Sequence, residues 1–450
     1  HQPQIFHPGG WLKNFALAEL ARRHKAVAVN LTIDSDTVKN PAVKVPTGSV
    51  AEPVVETIAY DRAQPTLPYE QRRIVDRGTF SGFGRRVAQR IASLVPDPLI
   101  RQYWPLVTGQ AEQSDNLGAC LARARHKLEG QWGLQTLEVP QSRVCDSEPF
   151  CWFVACLLAR ASEFRAVYNE AVGEYRRAHR IRSTAHPVPD LTADGPWLET
   201  PFWIFSNDDP LRRQLLVRRN GGRTMLCDRH TLEIDLPLSA DGDPGRTVER
   251  LLELRRGGLK IRSRALITTL WARLVLGDLF VHGIGGAKYD HVADALIERF
   301  FGLHPPGFAV VSGTLHLPIP RQRVTVDQSR AIRCELRRLL YAPERYIDVA
   351  HGEIEGVLGN PDELISAKQR WIQTPQVPEN ARTRCRTIRQ LNEAMQPWVQ
   401  SRRQQLQQQA AKTERALHAE AILASREHGF CLVPEKTFRE FAARLLPKDV

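Results

Sequence analysis

Residues 7–36, HPGGWLKNFALAELARRHKAVAVNLTIDSD, decide the predicted fold, because they read as a glycine turn, a helix and a strand in succession. Apolar residues recur at helical spacing over 11–24, which predicts a helix. The β-branched run over 25–33 is typical of a buried parallel strand. A strand ahead of His1 would complete a right-handed βαβ unit, so this order of elements predicts a Rossmann-like parallel core.

A second strand, glycine turn, helix and strand follow over 278–317. Between the two units, helical patterns alternate with β-like runs, and Asn220-Gly221-Gly222 predicts a hairpin turn. From 326 onward the chain reads as helices, and 379–428 is rich in Arg and Gln with a partial heptad seam. We therefore predict an α/β fold with a Rossmann-like parallel sheet core, insertions and a C-terminal helical, coiled-coil arm. The predicted segments are 1–185 for the first part of the core, 186–325 for the second part and 326–450 for the arm.

The composition limits which class of protein and which kinds of partner are expected. The chain has 450 residues, 42% of them apolar, and a net charge of +12, which favours a small anionic ligand. The arginines are spread along the chain, so we do not expect nucleic acid as the main partner. None of the eight cysteines forms a Cys-x-x-Cys pair, which indicates reduced thiols and a cytoplasmic location without a metal site. No apolar run approaches the ~20 residues of a membrane span.

The first candidate site is the glycine turn with the helix that follows it. Its residues combine histidines, glycines, an amide pair and a lysine near a helix N-terminus, where backbone N–H groups favour an anion. They are His1, Gln2, His7, Gly9, Gly10, Lys13 and Asn14. The same turn half resembles the His-x-Gly-His loop of adenylyl-transferring Rossmann enzymes. The alternative is a Pro/Gly turn that only caps the helix.

The second candidate is Asp34 with Asp36, which follow the first strand. In open parallel sheets ligands bind beyond the carboxyl ends of strands, so either carboxylate is a candidate to hold a ribose hydroxyl, an amine or Mg²⁺. The alternative is that Asp-Ser-Asp caps a turn.

The third candidate is the second glycine turn. Its glycines either cradle a phosphate or admit a tightly packed helix. Its residues are His282, Gly283, Gly285, Gly286, Lys288 and Asp290. Ser312 begins the alternating set Ser312, Thr314 and His316, which would face the same crevice from a following strand.

The order of these pieces resembles the bacillithiol-biosynthesis cysteine-adding enzyme family. The segment 2–22 is similar to that family's Thr-Gly-Gln-Gln-type loop and lysine-bearing helix, and 29–39 is similar to a thinned version of its acidic cluster. The layout of 264–290 is similar to its Leu-Arg-Pro-Leu segment and glycine loop, and 305–318 to its Pro-Arg-Ala-Ser strand. The resemblance implies a Rossmann core with insertions, a coiled coil and a nucleotide pocket.

Two functions remain open at this point. The first is a ligase-like enzyme that binds a nucleotide or phosphometabolite, with ATP or ADP and Mg²⁺ as the expected cofactor. In it His7, Lys13, Asp34 and Asp36 would be the catalytic set, and by the resemblance it would add a cysteine-like amino acid to an amine. The second is a non-catalytic basic scaffold or RNA-associated protein. In both cases the C-terminal helices predict a homodimer.

Overall fold

The structure, a computed structural model, describes residues 1–38, 40–220, 223–238, 244–321, 323–347 and 360–445. The helices of these segments are α1 (Pro8–His24), α2 (Arg77–Ile91), α3 (Ile100–Ala111), α4 (Leu117–Gln131), α5 (Gln141–Cys145), α6 (Glu148–Ala159), α7 (Ala161–Ala178), α8 (Pro244–Arg256), α9 (Ala265–Trp271), α10 (Ile284–Phe301), α11 (Val326–Tyr341), α12 (Pro361–Gln373), α13 (Ala381–Ala394), α14 (Gln396–Leu423) and α15 (Glu435–Leu445). The strands are β1 (Val29–Thr32), β2 (Ala42–Gly48), β3 (Pro53–Ala59), β4 (Leu137–Pro140), β5 (Ala193–Asp194), β6 (Trp197–Ser206), β7 (Arg213–Asn220), β8 (Arg223–Cys227), β9 (Glu233–Leu236), β10 (Leu259–Ser263), β11 (Phe280–His282) and β12 (Phe308–Val310).

The chain is a mixed α/β protein whose sheets differ from the predicted one. The largest sheet has the order β10-β6-β7-β8-β9, with β5 beside β6, and its pairs are antiparallel. Among the strands of the described segments, β1 pairs with β4 in parallel, and so does β11 with β12. The broad parallel sheet of a Rossmann core is not found in the described segments. The longest β-like runs are joined by short connections, and these impose antiparallel pairing.

The first predicted unit is present in a reduced form. The backbone nitrogen of His1 donates to the carbonyl of Leu31 at 3.0 Å, and the nitrogen of Ile33 donates to the carbonyl of His1 at 2.7 Å. This is the pattern of parallel strands, and α1 connects the two segments. Lys25 ends α1 in the left-handed conformation and turns the chain into β1.

The predicted hairpin pairing and the reduced cysteines are confirmed. In addition, Ser147 caps α6, because its Oγ accepts a hydrogen bond from the nitrogen of Phe150 at 3.4 Å. Strands β7 and β8 pair with Asn220 opposite Arg223, as the hairpin requires, although Gly221 and Gly222 lie outside the described residues. All eight cysteines are free thiols. No helix among the described segments is long and apolar enough to cross a membrane.

The chain divides into two compact units. The first contains 1–45, 56–318 and 426–445, and the second contains 46–55 with the described residues of 319–425. The predicted boundary at 185/186 falls inside the first unit. One apolar core explains this, since side chains of α6, α7 and α10 pack on the inner face of the antiparallel sheet from both sides of that boundary. Its large members include Phe150, Phe164, Phe202, Leu215, Leu226, Leu296 and Phe300.

The second unit is helical, as predicted for the arm, but 426–445, which the prediction placed in the arm, belong to the first unit. Helices α11 and α14 run antiparallel, because Glu335 pairs with Arg402 while Gln396 donates to the carbonyl of Leu339. Their contact buries a short apolar seam made of Ile332, Leu339, Val399 and Leu406. The seam is too short to confirm a coiled coil, and the predicted coiled coil and homodimer stay predictions.

Candidate functional site

The three predicted loops meet at one cleft of about 840 Å³ in the first unit. The predicted residues that line it are His1, Gln2, His7, Gly9, Gly10, Lys13, Asn14, Asp36, His282, Gly283, Gly285, Gly286, Lys288 and Ser312. Asp34 and Asp290 do not line it. The loops meet because α1 and α10 begin beside the short parallel strands β1 and β11. A volume of this size accommodates a small molecule.

The N-terminus of α1 is closed by the protein itself. His7 precedes the helix, and its Nδ1 accepts a hydrogen bond from the nitrogen of Gly10 at 3.3 Å. A Cβ at Gly9 would lie 1.9 Å from the carbonyl oxygen of Gly313. Gly9 therefore serves close packing of two backbone segments. Burial lowers the pKa of His7, in keeping with a neutral ring that accepts this bond.

Asn14 and its neighbour Trp11 anchor α1. Asn14 Nδ2 donates to Glu129 Oε1 at 2.7 Å, and Trp11 Nε1 donates to the same oxygen at 2.6 Å. The Trp11 ring also packs against Phe430 and Phe438. Asn14 is 2% exposed, so its amide holds the helix in place.

Lys13 lies one turn into α1, and the structure gives its ammonium no hydrogen-bond or ion-pair partner among the described residues. Its Nζ would lie 3.3 Å from a Cβ at Gly283, so the amine sits at the start of α10. Burial lowers the pKa of Lys13 to about 8. The side chain is half-buried, and an anion at this position would supply the counter-ion that the described residues do not provide.

The N-terminus of α10 is open by comparison. Gly283 precedes the helix without a side-chain cap, so the predicted glycine turn is in fact the first turn of α10. The nitrogens of Ile284 and Gly285 have no acceptor within the described segments, and a Cβ at Gly285 would meet no atom within 4 Å. Unpaired N–H groups with the helix dipole and a nearby ammonium form an anion site.

His282 ends β11 immediately before this turn. Its Nδ1 lies 2.9 Å from Oδ2 of Asp290, which is fully buried in α10. Its Nε2 lies 3.4 Å from Oγ1 of Thr269, a residue of α9 that also lines the cleft. In the sequence, His282 and Asp290 belong to one candidate loop, but nothing there indicates that they contact each other. No motif marks Thr269.

The two predicted aspartates have different surroundings. Asp36 lines the cleft, where it accepts from Gln2 Nε2 at 3.0 Å and from Arg212 Nη1 at 3.4 Å. Asp34 turns away and accepts from the nitrogen and the hydroxyl of Ser142 in the first turn of α5. Burial, with the negative charge of Glu70, raises the pKa of Asp34 to about 6. The local role of Asp34 is therefore that of a helix cap.

The cleft also contains residues that the sequence analysis missed. Arg212 and Arg264 both lie over the Trp203 ring, at 4.5 and 4.3 Å from its centre. Gln141 donates to the hydroxyls of Ser263 and Thr268 in a buried network. These residues are separated by up to 127 positions, so no local motif marks them.

The side chains that line the cleft include more cationic than anionic groups. Its lysine and arginine side chains are Lys13, Arg212, Arg264, Lys288 and Arg426, and Asp36 is the one carboxylate among the described residues that line it. Arg212 is paired with Asp36, Arg264 with Glu199 and Arg426 with Glu427, whereas Lys13 and Lys288 have no ion-pair partner among the described residues. The electrostatic balance therefore favours an anionic ligand.

A group with metal-ligand residue types occurs outside the residues that line the cleft. His126, Glu129 and Glu138 bring their ligand atoms within 4.8 Å of one another. Arg125 forms ion pairs with both glutamates, and its guanidinium supplies the positive charge that a metal would bring. The group therefore reads as a buried ion-pair network.

No protein-family model matches this chain, and no curated protein matches it. What the cleft binds is therefore inferred from its own side chains.

Proposed function

We propose that the cleft binds a small phosphate-bearing molecule, with a phosphate group at the N-terminus of α10 beside Lys13. The observation that carries this proposal is the unpaired Lys13 ammonium, held next to the uncapped N–H groups of Ile284 and Gly285. A phosphate supplies several acceptor oxygens and a charge near −2, which satisfies both groups at once.

The rest of the cleft suits the remainder of such a ligand. The Trp203 ring, with the guanidinium groups of Arg212 and Arg264 over it, offers a planar surface. A nucleotide such as ATP or ADP fits both this surface and the phosphate site. Magnesium would arrive with the phosphates, because Asp36 alone does not form an ion-binding cage.

We further propose that the protein is an enzyme of the ligase kind, which forms an amide or amine bond. The resemblance to the bacillithiol-biosynthesis family suggests a cysteine-like amino acid and a small-molecule amine as the partners in that reaction. Within the cleft, an ammonium group of either partner would share the Asp36 carboxylate with Gln2 and Arg212, which already donate to it. A cytoplasmic location agrees with the free thiols.

The experiment is a thermal-shift screen of the full chain. The ligands are ATP, ADP, AMP, inorganic pyrophosphate, aminosugar phosphates, free cysteine and a short RNA, each with and without Mg²⁺. A ligand at about 100 times its Kd adds roughly 2.7 kcal/mol of stability, which gives a measurable rise in Tm. We expect a rise with phosphate compounds. A rise with RNA alone would contradict the proposal and favour a basic scaffold.

A further inference from the structure

His282 is held from two sides in a way that anion binding does not require. Asp290 lies behind the imidazole, with Oδ2 2.9 Å from Nδ1, and Thr269 lies beside it, with Oγ1 3.4 Å from Nε2. The side chain of His282 is 13% exposed, and the residue lines the cleft. One nitrogen of the ring therefore faces a buried carboxylate, while the other lies on the side of the cleft.

Asp290 has few other neighbours to satisfy it. Its side chain is fully buried, and neither carboxylate oxygen has a conventional hydrogen bond within the described residues. The nearest arginine is Arg273, whose Nη1 is 4.0 Å away and whose Nη2 pairs with Asp294. His282 Nδ1 lies 2.9 Å from Oδ2 but likewise makes no conventional hydrogen bond. A proton on Nδ1 would face the buried carboxylate and stabilise it, so this tautomer is the one that the geometry favours.

Gly286 shows that the fold makes room for this ring. A Cβ at Gly286 would lie 2.5 Å from Nδ1 and Cε1 of His282. The lack of a side chain at Gly286 thus leaves space for the imidazole, whereas Gly285 on the same turn borders open space. Two features of α10, a glycine in its first turn and a buried carboxylate one turn later, position one side chain.

We propose that His282 is a general base of the cleft and that Asp290 is its positioning residue. The proposal rests on the proposed function, since it places the base next to the phosphate site at Gly283. In the step, a hydroxyl, thiol or ammonium group of a bound ligand gives its proton to Nε2 and keeps the electron pair. The resulting imidazolium is stabilised by the Asp290 carboxylate.

The charged and titratable groups around the ring come from several elements. They are Lys13 from α1, Tyr289 and Asp290 from α10, and Arg273 behind Asp290. The neutral hydroxyl of Thr269 from α9 lies beside Nε2. Lys13 adds positive charge near Gly283, and a bound phosphate would offset it.

The first test reads the tautomer of His282. The full chain is labelled with ¹⁵N-histidine, and the His282 signals are assigned with His282→Gln in long-range ¹H–¹⁵N spectra. We expect the proton on Nδ1 and an unprotonated Nε2 near neutral pH. Asp290→Asn should abolish this preference, because a neutral amide does not stabilise the N–H in the same way. Asp294→Asn is the matched control on the same helix and should leave the tautomer unchanged.

The second test reads the chemical availability of Nε2. Diethyl pyrocarbonate acylates unprotonated imidazole, and peptide mass spectrometry measures the rate at His282. We expect acylation in the wild type, protection by ATP or inorganic pyrophosphate, and a rate about tenfold lower in Gly286→Ala, whose added methyl displaces the ring. A structural histidine would be neither acylated nor protected by ligand.

The outcomes separate this inference from the proposed function. A fixed proton on Nε2, or a tautomer that Asp290→Asn does not change, would overturn the role of Asp290. Absence of acylation in the folded wild type would overturn the role of His282. If neither ATP nor pyrophosphate binds, the proposed function fails, and the unprotected acylation rate and the tautomer still show whether His282 is an oriented base.

Discussion

Helices α1 and α10 both begin at glycine-containing turns in the same cleft, yet their N-termini differ. The start of α1 is capped by His7 and covered by the carbonyl of Gly313. The start of α10 has no side-chain cap, and Gly285 borders open space. Two similar sequence patterns therefore serve opposite purposes, one closing a helix end by packing and the other leaving it open to a ligand.

The largest expected effect is a difference in stability between matched substitutions at the N-termini of α1 and α10. Gly9→Ala would bring a methyl group against the Gly313 carbonyl, and we expect it to lower the free energy of unfolding by about 2–3 kcal/mol. Gly285→Ala, the matched change on α10, should be neutral or stabilise by roughly 0.5–1 kcal/mol, because alanine favours helix and meets no neighbour. Urea unfolding measures both, and equal losses would contradict the contrast.

A second substitution tests which end carries the ligand. Lys13→Met should weaken the binding of pyrophosphate or ATP by about 10- to 100-fold, since it removes the ammonium at the open end. The same change should stabilise the free protein at pH 7 by roughly 1–3 kcal/mol, because a buried charge is lost. Lys288→Met, at an exposed position on α10, is the control and should change affinity less than fivefold.

The ionisation of Lys13 predicts how pyrophosphate affinity and protein stability depend on pH. Its pKa in the folded state is about 8, below the ordinary value of 10.5, so the ammonium that attracts phosphate is lost as the pH rises through 8. We expect pyrophosphate affinity to fall between pH 7 and 9. In the free protein the folded state releases this proton first, so the stability of the wild type relative to Lys13→Met should rise between pH 8 and 10.5. Paired titrations and unfolding curves measure both trends.

The smallest effect is expected at Asp34, which caps α5 away from the cleft. Its folded pKa of about 6 exceeds its unfolded value, so its charge costs stability above pH 6, and that cost disappears as the pH falls toward 4. Asp34→Asn should therefore raise the free energy of unfolding at pH 7 by about 1 kcal/mol and leave pyrophosphate affinity unchanged. A large loss of pyrophosphate affinity in Asp34→Asn would indicate that Asp34 takes part in binding the ligand.

The sequence predicted features that depend on neighbours in the chain. The hairpin between β7 and β8 and the helix after His7 both follow from local backbone preferences. Whether the candidate loops converge was left open by the sequence; they meet because α1 and α10 each begin beside a short parallel strand.

Features that depend on distant partners could not be predicted in this way. The sequence spacing of His282 and Asp290 does not by itself indicate a contact. The two side chains meet because β11 ends at His282 and α10 turns the Asp290 carboxylate back toward the ring. The same holds for Arg212 and Arg264 over Trp203, which pairing within the antiparallel sheet brings together. The β-branched run at β1 pairs in parallel with β4, as predicted, whereas the longer runs of β6 to β9 pair antiparallel because short connections join them.

The most direct test of the account is a calorimetric titration of inorganic pyrophosphate into the wild type, Lys13→Met and Lys288→Met at pH 7. The account predicts binding to the wild type and to Lys288→Met, and a loss of at least tenfold in Lys13→Met, while all three proteins unfold cooperatively. Equal binding to the wild type and to Lys13→Met would show that the anion lies elsewhere, and it would contradict the assignment of the open end of α10 as the phosphate site.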